Sequence, residues 1–217
     1  REWFVKVEQN DAEAKKLFDM FKEITLNDVM EIYDRLNVKF DSWNGESFYM
    51  DKMDGPLQML RDKGLITESQ GAQVVDLKDY DMPPFLLIKS DGSSLYATRD
   101  LAAAVWRKNE YDFDKCLYVV AYQQNLHFKQ LFKVLELANL PWAKDMIHVA
   151  YGMVSLEDGA MSTRKGNVVL LRDVINKAVS KSFETIISKN PNLENKEKVA
   201  EQVGVGAVLF SALENSK

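Results

Sequence analysis

Residues 160–167, AMSTRKGN, place two hydroxyls (Ser162 and Thr163) directly before two cations (Arg164 and Lys165), then add Gly166 and Asn167. Hydroxyls and cations supply donors and positive charge, and a glycine lets the backbone bend around what they hold. Such a stretch suits a polyphosphate. It also suits a solvated turn, and the elements on either side have to decide between the two.

Those elements favour a ligand site. Cys116 to Ala121 has the apolar pattern of a buried strand, Leu126 to Asn139 that of a helix, and Met146 to Ala150 that of a second strand. Strand, helix and strand within about 30 residues make a βαβ unit, with parallel pairing and a right-handed crossover. Ligands of open parallel sheets sit beyond the carboxyl ends of the strands. Tyr122-Gln123-Gln124-Asn125-Leu126-His127 follows the first strand, and Tyr151-Gly152-Met153-Val154 follows the second and leads into AMSTRKGN. Both segments are expected to face one crevice.

Elsewhere the pattern is mixed. Asp11 to Glu23 reads as a helix, and Thr25 as the N-cap of a second one with an apolar stripe of Val29, Ile32, Tyr33 and Leu36. From Phe40 to Pro84 short strands and turns surround one helix, with Pro56 near its start and Gly64 past its end. Gln73 to Leu77 and Phe85 to Lys89 read as strands, and Asp91-Gly92 as a hairpin turn. Thr98 is expected to cap a helix running through Leu101, Val105 and Trp106, and residues 172–215 to form two helices separated by Pro191. The fold class is α/β, with an inserted α+β subdomain and C-terminal helices.

Composition removes several function classes. The 217 residues carry a net charge of −5, which disfavours broad non-specific binding of nucleic acid. One cysteine, Cys116, permits neither an internal disulfide nor a Cys-rich zinc site, and His127 and His148 lack metal-ligand spacing. No apolar run is long enough to cross a bilayer, so no membrane partner is expected, and the default setting is cytoplasmic. The common phosphate and hydrolase signatures are missing: the lysine precedes the glycine in AMSTRKGN, and Gly204-Val205-Gly206 is followed by Leu209 where a third glycine belongs. Close helix packing is the expected use of that glycine pair. The chain begins at Arg1 and stops just after an apolar helical run, the look of a piece of a longer protein.

Taken in order, NVKFDSWNGES, LYATRDLAAAVWR, YVVAYQQNLHFKQLFKVL, HVAYGMVSLEDGAMSTRKGNVVLLRDV and VGVGAVLFSAL resemble the catalytic domain of the arginyl-tRNA synthetases, a class I family. The likeness runs from about Thr25 to the end. It implies the second half of a Rossmann-like parallel-sheet domain. Residues 1–37 would be a helical segment, 38–94 a connective insertion, 95–171 the second Rossmann-like half, and 172–217 a helical connection toward an anticodon-binding domain.

The same resemblance implies roles. Tyr96 and Asp100, four residues apart on one helical face, would hold the substrate arginine, whose planar fork of donors matches a carboxylate. By position alone, Asp100 could instead serve the electrostatics of a helix start. Gln124 matches the glutamine that contacts the amino acid; Gln123 competes with it, since strand alternation allows one of them to face the pocket. His127 resembles a position near ATP, and Gly152, Met153 and Val154 resemble the segment that meets the adenine. AMSTRKGN occupies the place of the class I KMSKS loop, with Met161, Ser162 and Thr163 at the triphosphate and Lys165, supported by Arg164, neutralising charge as pyrophosphate leaves. Ala160 and Thr163 stand where that consensus has its lysines.

The H-x-G-H string of class I synthetases is absent, so the first half of the sheet is expected ahead of Arg1 and the anticodon-binding domain after Lys217, entered through Val199 to Leu213. The implied partners are arginine, ATP with Mg2+ as substrate, and tRNA(Arg), with no tightly bound cofactor and a monomeric protein. A non-catalytic α/β module that binds a ligand or a partner is the competing reading.

Overall fold

The computed structural model describes residues 2–152, 155–156, 159–160 and 169–214. The chain forms two compact units, residues 1–9 with 42–152, and residues 10–41 with 153–217.

The first unit opens with helix α1 (Glu2–Glu8). Its centre is one apolar core shared by a small antiparallel sheet, a parallel strand pair and three helices. Helix α3 (Asp54–Asp62) buries Leu57 and Leu60, with Pro56 inside its first turn and Gly64 at φ +66° just past its end, as expected. Strands β1 (Ile66–Ser69) and β2 (Ala72–Val75) pair antiparallel across Gln70-Gly71. Both turn residues have positive φ, 50° and 75°, the geometry of the tight hairpin turn whose twist matches its strands. Strand β3 (Phe85–Ile88) completes the sheet in the order β1-β2-β3. Its Phe85 and Leu87 are 1% and 0% exposed, the period-2 burial of a strand with one covered face. Asp91-Gly92 makes its turn, with Gly92 at φ +79°, but the returning segment reaches only a single bridge, Ile88 to Ser94, and not a strand.

Helix α4 (Tyr96–Tyr111) is not capped by Thr98. Its N-cap is Leu95; Thr98 lies one turn inside, fully buried, and its hydroxyl donates to the Leu87 carbonyl of β3. A threonine at a helix start reads as a cap by type, yet here the buried carbonyl of a neighbouring strand competes for its hydroxyl and wins. Ala102 and Ala103 give α4 a small-residue flank against Phe48 and Tyr49, whose rings meet Trp106 of the same helix edge to face at 4.9 and 5.7 Å.

Strand β4 (Cys116–Ala121), helix α5 (Asn125–Leu137) and strand β5 (Met146–Tyr151) form the expected βαβ unit. The strands are parallel and in register from Cys116 opposite Met146 to Ala121 opposite Tyr151. α5 buries Phe128, Leu131, Val134 and Leu135 at helical spacing, against one face of the pair carrying Tyr118 and Val120. The other face is bare: Leu117, Val119, Ile147 and Val149 are 58%, 65%, 41% and 36% exposed.

The second unit is helical. One helix, α2 (Ala12–Arg35), replaces the two expected around Thr25. Asp11 is its cap, accepting from the Ala14 N–H at 2.9 Å, while Thr25 turns its hydroxyl back onto the Phe21 carbonyl at 2.8 Å. That bond satisfies the threonine without breaking the helix, which is why a cap-like residue did not mark a boundary. Arg35 binds Glu201 of α7 (Lys196–Glu214) with Nε and a terminal nitrogen at 3.0 and 3.2 Å, and Asn176 of α6 (Leu171–Lys189) at 2.8 Å. Two-residue strands β6 (Ser155–Leu156) and β7 (Gly159–Ala160) pair antiparallel.

Close packing holds for Gly204 but not for its partner: a Cβ at Gly204 would lie 2.6 Å from the Val179 Cα, so α6 and α7 approach backbone to backbone there. Gly206 has nothing within 4 Å of the same position. The two glycines therefore predict opposite signs in thermal melting. Gly204→Ala forces the helices apart and costs about 1–3 kcal/mol. Gly206→Ala relieves a flexible helix residue and stabilises by up to about 1 kcal/mol. In chemical denaturation, Thr98→Val removes the hydroxyl that the buried Leu87 carbonyl accepts from, lowering stability by about 1–3 kcal/mol with no change in m-value.

Candidate functional site

The parallel register makes β4 and β5 end side by side, at Ala121 and Tyr151, and the first turn of α5 starts from that edge. The first turns of α4 and α5 converge there. Tyr96 is the first residue of α4 and Asp100 the fifth, so they lie on one face as their spacing requires. Asp100 is past the first turn, where helix-start electrostatics acts most strongly, which weakens that reading of it.

Asp100 meets His127, the third residue of α5, at 2.7 Å between Oδ2 and Nε2. A carboxylate only accepts, so the imidazole carries its proton on Nε2 and donates. His127 is 6% exposed and enclosed by three rings: Tyr96 at 4.8 Å, Phe128 at 5.1 Å, and Phe85 of β3 stacked at 5.9 Å with planes 22° apart. Asp100 is only partly covered, with 30% of its side chain open, and Tyr96 is 47% exposed. The arrangement is a buried donor behind a half-open carboxylate, with an aromatic ring beside it. It can present a fixed negative charge to a cationic ligand.

Several bonds hold this geometry. Thr98 fastens α4 to β3 from the adjacent helix face. Gln130, one turn beyond His127 and 8% exposed, donates to the Pro83 carbonyl at 2.7 Å and ties α5 to the lead-in of β3. Arg99 turns away from Asp100, as its neighbouring position requires, and binds Glu46 at 3.1 Å and the Ser94 hydroxyl at 3.3 Å. On the covered sheet face His148 donates from Nε2 to the Val120 carbonyl at 2.9 Å and packs on Phe128, with ring centres 4.5 Å apart.

Gln123 and Gln124 both lie in a short 3-10 turn, Tyr122–Gln124, and not at the end of the strand itself. Strand alternation does not apply to a turn, and both side chains are exposed, so the choice between them stays open. Gly152 follows β5 and is exposed, and an added Cβ there would meet nothing within 4 Å. Met153, Val154, Met161, Ser162, Thr163, Arg164 and Lys165 lie outside the described residues.

Reactive groups near the strands are disarmed. Burial pushes the Cys116 thiol up, so it stays protonated at neutral pH and is a poor nucleophile. Burial likewise pushes the Tyr118 hydroxyl far up, although the Arg107 guanidinium opposes this. No group of three metal-ligating side chains occurs among the described residues, and none of the helices searched there is long and apolar enough to cross a membrane. The sequence marks Thr98 only as a cap and signals neither its bond to Leu87, nor the bond of Gln130 to Pro83, nor the partnership of His127 with Asp100. Their partners lie 11, 47 and 27 residues away, and nothing local in the sequence signals such pairs.

The arginine–tRNA ligase of Clostridioides difficile (strain 630) is 55% identical over 217 residues, all of this chain and 38% of that protein. The corresponding ligase of Clostridium perfringens (strain 13 / Type A) is 54% identical over the same span. The chain thus spans well under half the length of these relatives. Among solved structures, the arginyl-tRNA synthetase of Plasmodium falciparum superposes with a TM-score of 0.83 at 21% identity, covering 99% of this chain and 36% of its own. That of Thermus thermophilus gives 0.73 at 21% identity, covering 95% and 43%. Both establish the fold. The family described as tRNA synthetases class I (R), catalytic domain, matches residues 1–217, and with relatives at this identity the chain belongs to that family.

Proposed function

We propose that this chain supplies the arginine-recognising part of an arginine–tRNA ligase, which joins arginine to ATP as arginyl-adenylate and passes the arginyl group to tRNA(Arg). The observation that carries the reading is the half-open Asp100 carboxylate beside Tyr96, set at the carboxyl edge of a parallel strand pair. That edge is where ligands of open α/β sheets bind. A guanidinium brings five donors in a fixed plane, and a carboxylate held from behind is its natural acceptor. Tyr96 offers a ring for the same planar group to lie against. Gln124 or Gln123 would read the amino-acid end.

Activation then depends on position and charge. The arginine carboxylate must be held in line with the α-phosphate of ATP, and negative charge growing on the departing pyrophosphate must be met. Lys165 and Arg164 are the side chains we assign to that charge, with Met161, Ser162 and Thr163 along the triphosphate. Gly152, Met153 and Val154 would face the adenine. Magnesium enters with ATP as a counter-ion to its phosphates. No covalent enzyme intermediate is needed, in keeping with a protonated Cys116.

The same reading divides the chain into a helical segment at 1–37, an insertion at 38–94, the second Rossmann-like half at 95–171 and a helical connection at 172–217. Its protein would be monomeric and cytoplasmic. Because the relatives extend well beyond this span and the chain has no H-x-G-H string, the 217 residues alone should give no measurable arginine-dependent exchange of pyrophosphate into ATP, even with tRNA added. In the full-length protein, Asp100→Asn removes a charge-assisted pair worth about 1.5–3 kcal/mol and should raise the KM for arginine by roughly ten- to a hundredfold, leaving that for ATP nearly constant. Equal affinity for arginine, lysine and citrulline in the unmodified protein would instead favour a binding module without this chemistry.

A further inference from the structure

We infer that His127 is a positioning residue for arginine recognition, acting through Asp100 and not through ATP. The inference rests on the ligase reading above and assigns His127 within it.

The geometry carries it. His127 is nearly sealed from solvent, and among the described residues its hydrogen bond goes to Asp100. A nucleotide would have to pass Tyr96, Phe85 and Phe128 to reach the ring, since these enclose it at 4.8–5.9 Å. The carboxylate, by contrast, stands between the imidazole and solvent. Oδ2 takes the Nε2 proton, and among the described residues Oδ1 has no partner. A carboxylate has about four lone-pair directions, so one bond from behind fixes its plane and leaves the outward directions for a ligand.

Without that bond, the Asp100 side chain would rotate freely in a half-open site, and a guanidinium would have to immobilise it on binding. Side-chain ordering of this kind weakens affinity directly. Phe85, Tyr96 and Phe128 in turn hold the imidazole, so the carboxylate is aimed by a group that itself cannot turn. The aromatic enclosure therefore has a use beyond packing: it fixes the direction of one N–H bond.

Two substitutions separate the donor from the ring. His127→Gln keeps an N–H at nearly the reach of Nε2 but loses the ring; His127→Phe keeps a ring among Phe85, Tyr96 and Phe128 but cannot donate. The assay is arginine-dependent pyrophosphate exchange by the full-length protein with tRNA, reading KM for arginine and for ATP separately. Calorimetric arginine binding and a thermal melt accompany each variant. The inference expects His127→Phe to weaken arginine by roughly tenfold or more with KM for ATP unchanged, and His127→Gln to recover most of that loss. It also expects His127→Phe to add little in the Asp100→Asn background, because the two act through one contact.

The inference is overturned if His127→Phe binds arginine as well as His127→Gln or better, if KM for ATP rises while that for arginine stays put, or if the two losses add in full. Absence of arginine-dependent exchange in the unmodified full-length protein overturns the ligase reading and this inference with it. Exchange that is present but insensitive to these variants overturns the inference alone.

Discussion

The in-register parallel pairing of β4 with β5 is the constraint on which the site depends. Parallel neighbours cannot be joined by a tight turn, so the chain must leave β4 at Ala121, cross back along the sheet and enter β5 at Met146. Helix α5 makes that return, and it can do so only by burying Phe128, Leu131, Val134 and Leu135 against the sheet. Once that face is committed, His127 has nowhere to go but the edge where the strands end. A site residue is placed here by the burial of its neighbours.

Helix α4 shows how one element can serve four tasks, because residues 100° apart look in different directions. Tyr96 and Asp100 share one face. Thr98 reaches β3, Arg99 reaches Glu46, and the pair Ala102 and Ala103 lets Phe48 and Tyr49 come close enough to meet Trp106 of the same helix. Buried polar atoms must find partners, so the Thr98 hydroxyl and the Gln130 amide both end on backbone carbonyls in or just ahead of β3. The rotation of α4 and α5 about their own axes is thereby set by bonds to a third element. That rotation decides whether Asp100 and His127 meet.

What could be read from residue order follows the same logic. β4 was legible to the residue because six consecutive apolar or small residues between polar flanks leave little choice. The helices around Pro191 were legible because proline stops a helix, and Gly204 because a glycine in an apolar helical run suggests close approach. Thr25 and Thr98 both read as caps by type, but Thr25 bonds back to a carbonyl four residues earlier in a helix that runs on, and Thr98 bonds to a strand carbonyl that reaches it only once β3 packs on α4. β1 escaped notice since Ile66–Ser69 is largely exposed and has no alternating pattern. Tyr96 and Asp100 stood out by their spacing, whereas the donor behind Asp100 lies 27 residues on and belongs to another helix.

The bare side of β4 and β5 bears on how such a chain behaves in water. Leu117, Val119, Ile147 and Val149 form one aliphatic face, and the residues that alternate with them, among them Tyr118, Val120 and His148, make the covered side. Solvent over that face is released by almost any smooth apolar surface brought against it, with no demand for matched charge. A net charge of −5 spread over the whole chain keeps molecules apart at long range, but it is screened within about a nanometre at ordinary salt. Together with exposed apolar side chains elsewhere, such as Phe210 and Leu213 of α7, these four residues are where short-range apolar attraction acts once salt has screened that charge.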